Sequence, residues 1–298
     1  MDSCSRKEVW TPRHTFSLSE MNSRIKYTTH NHGWEEAIRI LDGKGWATSS
    51  MKVAEIGSGT GTTSLTFALL GADTTLIDYN EGALEQSRAI YEMYGCKGTF
   101  IKEDCLNEPQ DNIRGMFDLV ISSGLLEHFT GNNRFRSLEF HRKLLKPGGL
   151  IFIIVPNSNS YWYQGMKWIC QATGNWNIDI EVSFNARELE MLCAKAGLID
   201  YHVIGYTGLL DDIRCYFLGF LVLLRDILPK AISGFLKKIQ RFLYRGKVSS
   251  AGNLSQIRAY CESRSAQVRS SASYLNRWNY FFGLFISVNV LLAFKDEA

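Results

Sequence analysis

Val53-Ala54-Glu55-Ile56-Gly57-Ser58-Gly59-Thr60-Gly61 is the stretch that decides the fold. A short apolar strand, Met51–Ile56, runs into a Gly-x-Gly-x-Gly turn, and Thr62–Leu70 continues with helical spacing. Glycine is the residue that lets backbone adopt positive φ and approach a ligand closely. A dinucleotide fingerprint would place a third glycine where Thr62 stands, and a phosphate-binding Walker loop would need Gly-Lys-Ser/Thr, which is absent. Taken alone, a glycine-rich turn serves structure as readily as binding.

The flanking segments add to it. A second strand, Thr74–Ile77, ends at Asp78, 23 residues after Glu55. A carboxylate at that strand end is placed to accept both hydrogen bonds of a ribose diol. Its structural alternative is the N-cap of the helical segment that begins near Glu81. Asp104 follows a third strand, Gly98–Ile101, where it could hold an adenine amino group or stand as a solvated loop residue. Further strands are expected at Phe117–Ser122, Leu150–Val155, Ile199–Tyr206 and Phe285–Phe294. Helices are expected at Gly33–Leu41, Glu81–Tyr94, Arg134–Leu145 and Ala186–Ala196, with a turn at Lys146-Pro147-Gly148-Gly149. Strands alternating with helices mean βαβ units and an α/β fold with a mostly parallel sheet. The expected organisation is an N-terminal helical lid over 1–50, a core over 51–207, a helical cap insertion over 208–277, and a last strand in 278–298 that completes the core.

The chain of 298 residues carries 33 Lys+Arg against 30 Asp+Glu, a net charge of +3, which argues against a nucleic-acid binder working through a broadly basic surface. Its seven cysteines are odd in number, widely spaced and without a CxxC pair, which fits free thiols in a reducing, cytoplasmic setting and offers no zinc signature. The first residues lack the apolar run of a secretory signal. The longest apolar run, Cys215–Leu224, has ten residues, whereas a membrane-spanning helix needs about 20.

In order and spacing, EIGSGTG (55–61), LIDYN (76–80), KEDC (102–105), FDLVISSGLLEHF (117–129) and LLKPGGLIFIIVPN (144–157) resemble the class I S-adenosylmethionine (SAM)-dependent methyltransferases. The resemblance runs from about Met51 to Tyr206 and takes in the last strand. It implies a Rossmann-like seven-stranded sheet whose last strand is antiparallel. It also implies SAM as cofactor, with Glu55, Gly57, Ser58, Gly59 and Gly61 around the methionine part and Asp78 on the ribose. Tyr79, Asp104 and Cys105 would sit beside the adenine, and Ser122 and Ser123 would touch the cofactor from the other side.

The sulfonium of SAM already makes its methyl group electrophilic, so the protein must mainly hold an acceptor in line and exclude water. A hydroxyl acceptor must also lose a proton. His128 follows the fourth strand at the carboxyl edge, where open α/β sheets bind ligands, and is the general-base candidate; a lone histidine can equally be structural. Ubiquinone-biosynthesis O-methyltransferases, a related group, carry a glutamate three residues before the Glu-His pair, and that cluster can bind a divalent metal. Here that position is Gly124, so no metal is expected. Neither the Pro-Pro-Tyr/Phe signature of DNA amino-methyltransferases nor the paired glutamates of protein-arginine methyltransferases is present.

The acceptor should be chosen by what covers the carboxyl edge. Tyr161, Trp162 and Tyr163, in the loop after the fifth strand, suit a ring or an apolar chain, and Tyr27, with His30, His32 and Trp34, suits a lid. The insertion holds eight basic and three acidic residues over 209–247, a local +5, and apolar residues recur at helical spacing from Ile232 to Leu243. That pattern fits a cap helix, or peripheral contact with an anionic membrane. The expected activity is methyl transfer to a small or amphipathic organic acceptor, at oxygen. The alternatives are a SAM- or nucleoside-binding regulator without turnover and a protein acting chiefly at a membrane surface. The sequence leaves the oligomeric state open.

Overall fold

A computed structural model describes residues 16–174, 176, 180–206, 254–270 and 288–296. Seven strands form one sheet: β1 (Lys52–Ile56), β2 (Asp73–Asp78), β3 (Thr99–Lys102), β4 (Phe117–Ser123), β5 (Leu145–Pro156), β6 (Leu198–Tyr206) and β7 (Val288–Lys295). The spatial order is β3-β2-β1-β4-β5-β7-β6. Neighbours from β3 through β5 pair parallel, and β7 is antiparallel to both β5 and β6. The expected Rossmann-like sheet with a reversed last strand is therefore present. The connection order reverses between β1 and β4, and the crevice outside the carboxyl ends of such a pair is where this architecture binds ligands.

The described helices are α1 (Leu18–Thr29), α2 (His32–Gly43), α3 (Thr62–Leu69), α4 (Glu81–Met93), α5 (Asn132–Leu144), α6 (Tyr161–Ala172), α7 (Ala186–Lys195) and α8 (Leu254–Arg269). Strand side chains alternate between the faces of a sheet. Leu150 and Phe152 of β5 accordingly pack with Trp34, Ile38 and Leu41 of α2, while Ile151 and Ile153 pack with Leu138 and Leu144 of α5 and Leu189 of α7. Both faces are covered, which is why β5 is apolar without interruption.

Four expectations are corrected. The Lys146–Gly149 turn belongs to β5, whose register against β4 shifts between Phe117 and Leu119. Gly149 permits this, because a Cβ there would lie 2.9 Å from Leu145 Cδ2 and 3.0 Å from the Lys146 carbonyl oxygen. The aromatic run after β5 is helical rather than a loop, since Ser160 caps α6 by accepting the Tyr163 backbone N–H at 3.1 Å. Trp34 is core rather than lid: it is fully buried and its Nε1 donates to Thr66 Oγ1 at 2.9 Å. Finally, within the segment 208–277 read as a cap, Leu254–Arg269 forms α8. This helix buries Ile257, Cys261 and Val268 and packs on α1, α2 and α3. Arg264 on α8 pairs with Glu35 on α2 and donates to the Thr29 carbonyl, and Arg258 stands by Ser49–Lys52 and Gly71–Asp73 at the amino ends of β1 and β2. The basic region 209–247 lies outside the described residues. Among the described residues, no helix is long and apolar enough to cross a membrane.

Candidate active site

The turn between β1 and α3 is built by its glycines. Gly57, Gly59 and Gly61 all have positive φ (61°, 52° and 63°), a region that side chains disfavour. A Cβ on Gly57 would meet Leu125 Cδ1 at 2.7 Å, and one on Gly61 would meet Leu76 Cδ2 at 2.4 Å. Glu55 closes the turn from beneath. Its Oε2 accepts the Ser64 backbone N–H at 2.8 Å and the Ser64 hydroxyl at 2.5 Å, so its carboxyl serves the first turn of α3. Burial pushes that carboxyl up to about 7, against the opposing pull of the Ser64 and Thr63 hydrogen bonds.

Asp78 joins the turn from the end of β2. Its Oδ2 accepts the Gly59 backbone N–H at 3.2 Å and its Oδ1 that of Asn80 at 3.0 Å. The cap of α4 is Asn80, whose side chain accepts from Ala83 N, so Asp78 is spared that duty. Burial raises the Asp78 carboxyl above its ordinary value. Tyr79, next in sequence, is partly exposed beside it. Asp104 holds its own loop, with Oδ1 accepting from Leu106 N at 2.9 Å.

Two expected contacts turn elsewhere. Cys105 and Ser122 are buried, and their side chains face α5: the Ser137 hydroxyl lies 3.5 Å from Cys105 Sγ, and His141 Nε2 lies 2.9 Å from Ser122 Oγ. His141 Nδ1 is 2.8 Å or less from a carbonyl, that of Ser137 at 2.7 Å. A carbonyl only accepts, so Nδ1 carries the proton and the Ser122 hydroxyl donates to Nε2. Ser123, the next residue, is exposed.

Beyond β4, Gly124 (φ 73°) turns the chain into a short 3₁₀ helix, Leu126–His128. Glu127 points inward and His128 outward. His128 Nδ1 lies 2.6 Å from the Ile180 carbonyl, which places a proton on Nδ1; Nε2 has no hydrogen-bond partner among the described residues. Residues 180–184 run as a strip between this turn and α6. Val182 N donates to the Glu127 carbonyl at 2.8 Å, and Tyr163 Oη donates to Glu181 Oε1 at 2.6 Å. Tyr161 is 71% exposed on α6; the Trp162 side chain lies outside what the structure describes. Tyr27 is not part of this group: it is 61% exposed on α1, which packs on α3, α2 and α8. Glu127 and Glu181 were not among the residues expected from sequence; Glu181 lies in an unpatterned segment, and burial of Glu127 is invisible without the turn.

The methyltransferase-domain family model matches residues 53–149, from the start of β1 into β5. The chain carries a class I SAM-dependent methyltransferase domain. The ubiquinone biosynthesis O-methyltransferase of Pseudomonas aeruginosa (strain UCBPP-PA14) is 28% identical over 160 residues, covering 52% of this chain and 68% of that protein. Polyketide synthase 19 of Gibberella fujikuroi is 33% identical over 111 residues, 35% of this chain but only 4% of that much longer protein. Among solved structures, phosphoethanolamine N-methyltransferase 2 of Haemonchus contortus with bound SAM has the same fold, with a TM-score of 0.51 at 17% identity over 95% of this chain and 58% of that one.

SAM is the cofactor of this methyltransferase domain. The residues present fit it. The turn leaves no Cβ at three positions, and Ser58 Oγ is buried there with no hydrogen-bond partner among the described residues. Asp78 keeps acceptor capacity beyond its contacts with the Gly59, Asn80 and Tyr79 backbone N–H groups, since a carboxylate offers about four lone-pair sites. Among the described residues, no group of three or more His, Cys, Asp and Glu side chains is placed to hold a metal ion.

Proposed function

We propose that the protein transfers the methyl group of SAM to a small or amphipathic organic acceptor, at oxygen. The observation that carries this reading is His128, in the turn beyond the carboxyl end of β4, with Nδ1–H held by Ile180 and Nε2 without a partner among the described residues. When bound, SAM supplies an electrophilic methyl on sulfur. The chain's own residues do the rest. The backbone of Gly57, Ser58, Gly59 and Gly61 holds the methionine part, with Glu55 bracing the loop through Ser64. Asp78 takes the ribose diol, with Tyr79, Asp104 and the Cys105 backbone around the adenine and Ser123 on the β4 side. His128 Nε2 takes the proton of the acceptor hydroxyl, while Tyr161, exposed on α6, offers the acceptor an aromatic ring. Similarity to an O-methyltransferase over 68% of its length supports oxygen as the acceptor atom.

The test uses cell extract supplied with isotopically labelled SAM, and the labelled product is identified by mass spectrometry. His128→Ala should slow labelling by about 10²–10⁴-fold, the usual worth of a general base, with SAM affinity kept. Full labelling by that variant would remove His128 from the reaction.

A further inference from the structure

Glu127 sits at the carboxyl end of β4 and is 3% exposed. Its Oε2 is buried with no hydrogen-bond partner among the described residues, a costly arrangement for a carboxyl. Gly124 lies next to it: a Cβ there would stand 3.4 Å from Glu127 Oε1, and Gly124 is itself exposed. A residue without a side chain is thus what separates Glu127 from the crevice on that side.

The surrounding charges are already committed. From α6, Lys167 pairs with Glu181 at 3.2 Å and also donates to its carbonyl. From α5, Arg134 donates to the Phe129 carbonyl at 2.9 Å and to that of Val182, lies over the Phe184 ring, and stands 3.9 Å from Glu188 of α7. Tyr163 donates to Glu181, and His128 faces the Ile180 carbonyl. Among the described residues, Lys167 pairs with Glu181 and Arg134 stands by Glu188, and neither is in ion-pair contact with Glu127. On α6 and the 180–184 strip, Tyr161, Trp168, Ile169, Ile180 and Val182 expose apolar surface.

We propose that Glu127, backed by Glu181, anchors a basic amine carried by the methyl acceptor, which places the acceptor among amphiphilic amines: a cationic group at Glu127 and an apolar body on α6 and the strip. This rests on the methyl-transfer reading above. Burial, with a smaller contribution from the Glu181 charge, pushes the Glu127 carboxyl up to about 8, while its own backbone N–H, Arg134 and Lys167 pull the other way. At pH 7 the empty site is therefore protonated. An arriving ammonium supplies the missing charge, favours the carboxylate, and sends the Glu127 proton to solvent.

The full chain saturated with S-adenosylhomocysteine is titrated calorimetrically at pH 7 with n-octylamine and with n-octanol, in two buffers of different ionisation enthalpy. Octylamine should bind at least about tenfold more tightly than octanol and release up to about one proton. Glu127→Gln, a neutral near-isostere, should lose both the preference and the proton release. Glu181→Gln should weaken the preference, and His128→Ala should keep it. Equal binding of amine and alcohol, no amine binding, or proton release unchanged in Glu127→Gln overturns the proposal. Affinity for S-adenosylhomocysteine is read in the same samples. Its absence in the unmodified chain would sink the methyl-transfer reading, whereas failure of the amine arm alone removes only this anchor.

Discussion

Asp78 carries two jobs in one carboxyl. It receives the Gly59 and Asn80 backbone N–H groups, which ties the glycine turn to the end of β2, and it keeps lone pairs for a ribose. Asp78→Ala should therefore weaken SAM binding by about ten- to a hundredfold, the worth of hydrogen bonds to a charged group, as measured by calorimetry. Unchanged affinity would take Asp78 out of the site. Its position was legible because strand, turn and acid follow at fixed spacing. Its freedom from capping was not, since that depended on Asn80 taking the cap of α4. Glu127 shows the opposite case. Its neighbours in sequence are ordinary, and its burial with Oε2 lacking a hydrogen bond among the described residues shows only in the fold, where Val182 N meets the Glu127 carbonyl.

At the scale of elements, β4 is clamped to α5 by a buried polar chain. Ser122 donates to His141, His141 to the Ser137 carbonyl, and Ser137 Oγ approaches Cys105 Sγ on the loop after β3. Three segments that end at the crevice are held by it. Burial lowers His141 to about 4, so the folded ring is neutral. The unfolded ring takes a proton below its ordinary value near 6.5, whereas the folded one resists until about 4. The stability this group contributes is therefore present above about pH 6.5 and lost as pH falls toward 4. His141→Leu should cost about 1–3 kcal/mol at pH 7, because Ser122 is left without a partner. The variant should also show a shallower loss between pH 6.5 and 4 in urea unfolding. A pH dependence equal to that of the unmodified protein would show that His141 does not titrate as described. The helix itself was readable from apolar spacing; the hydrogen-bonded ladder was not, because a histidine in a helix does not reveal which strand it will meet.

Across the whole molecule, α8 returns from a distant part of the chain to fasten α1 and α2 on the helical face of the sheet. Arg264 joins Glu35 and the Thr29 carbonyl, Tyr260 lies 3.0 Å from His30, and Arg269 stands 3.5 Å from Asp42. Glu35 is nearly buried and keeps Arg39 at 3.6 Å as a second partner. Arg264→Ala should thus cost about 1–3 kcal/mol, less than an uncompensated buried charge. Hydrogen exchange should speed up in α1, α2 and α8 while the amides of β1, β4 and β5 stay protected. Uniform loosening of the sheet would instead mean that α8 belongs to the central cooperative unit.

The alternation of strands and helices, the glycine turn and the acid at the end of β2 were legible in the residues alone, whereas the reversed last strand was implied by the family resemblance. Periodicity, glycine conformation and residue spacing are local properties that need no partner. It took the folded chain to put Trp34 in the core, to brace the N-terminal helices with α8, to turn Ser122 and Cys105 toward α5, and to bury Glu127 Oε2 without a hydrogen bond among the described residues. Each of these depends on residues far apart in the chain meeting at one place, and burial and charge balance exist only once they do.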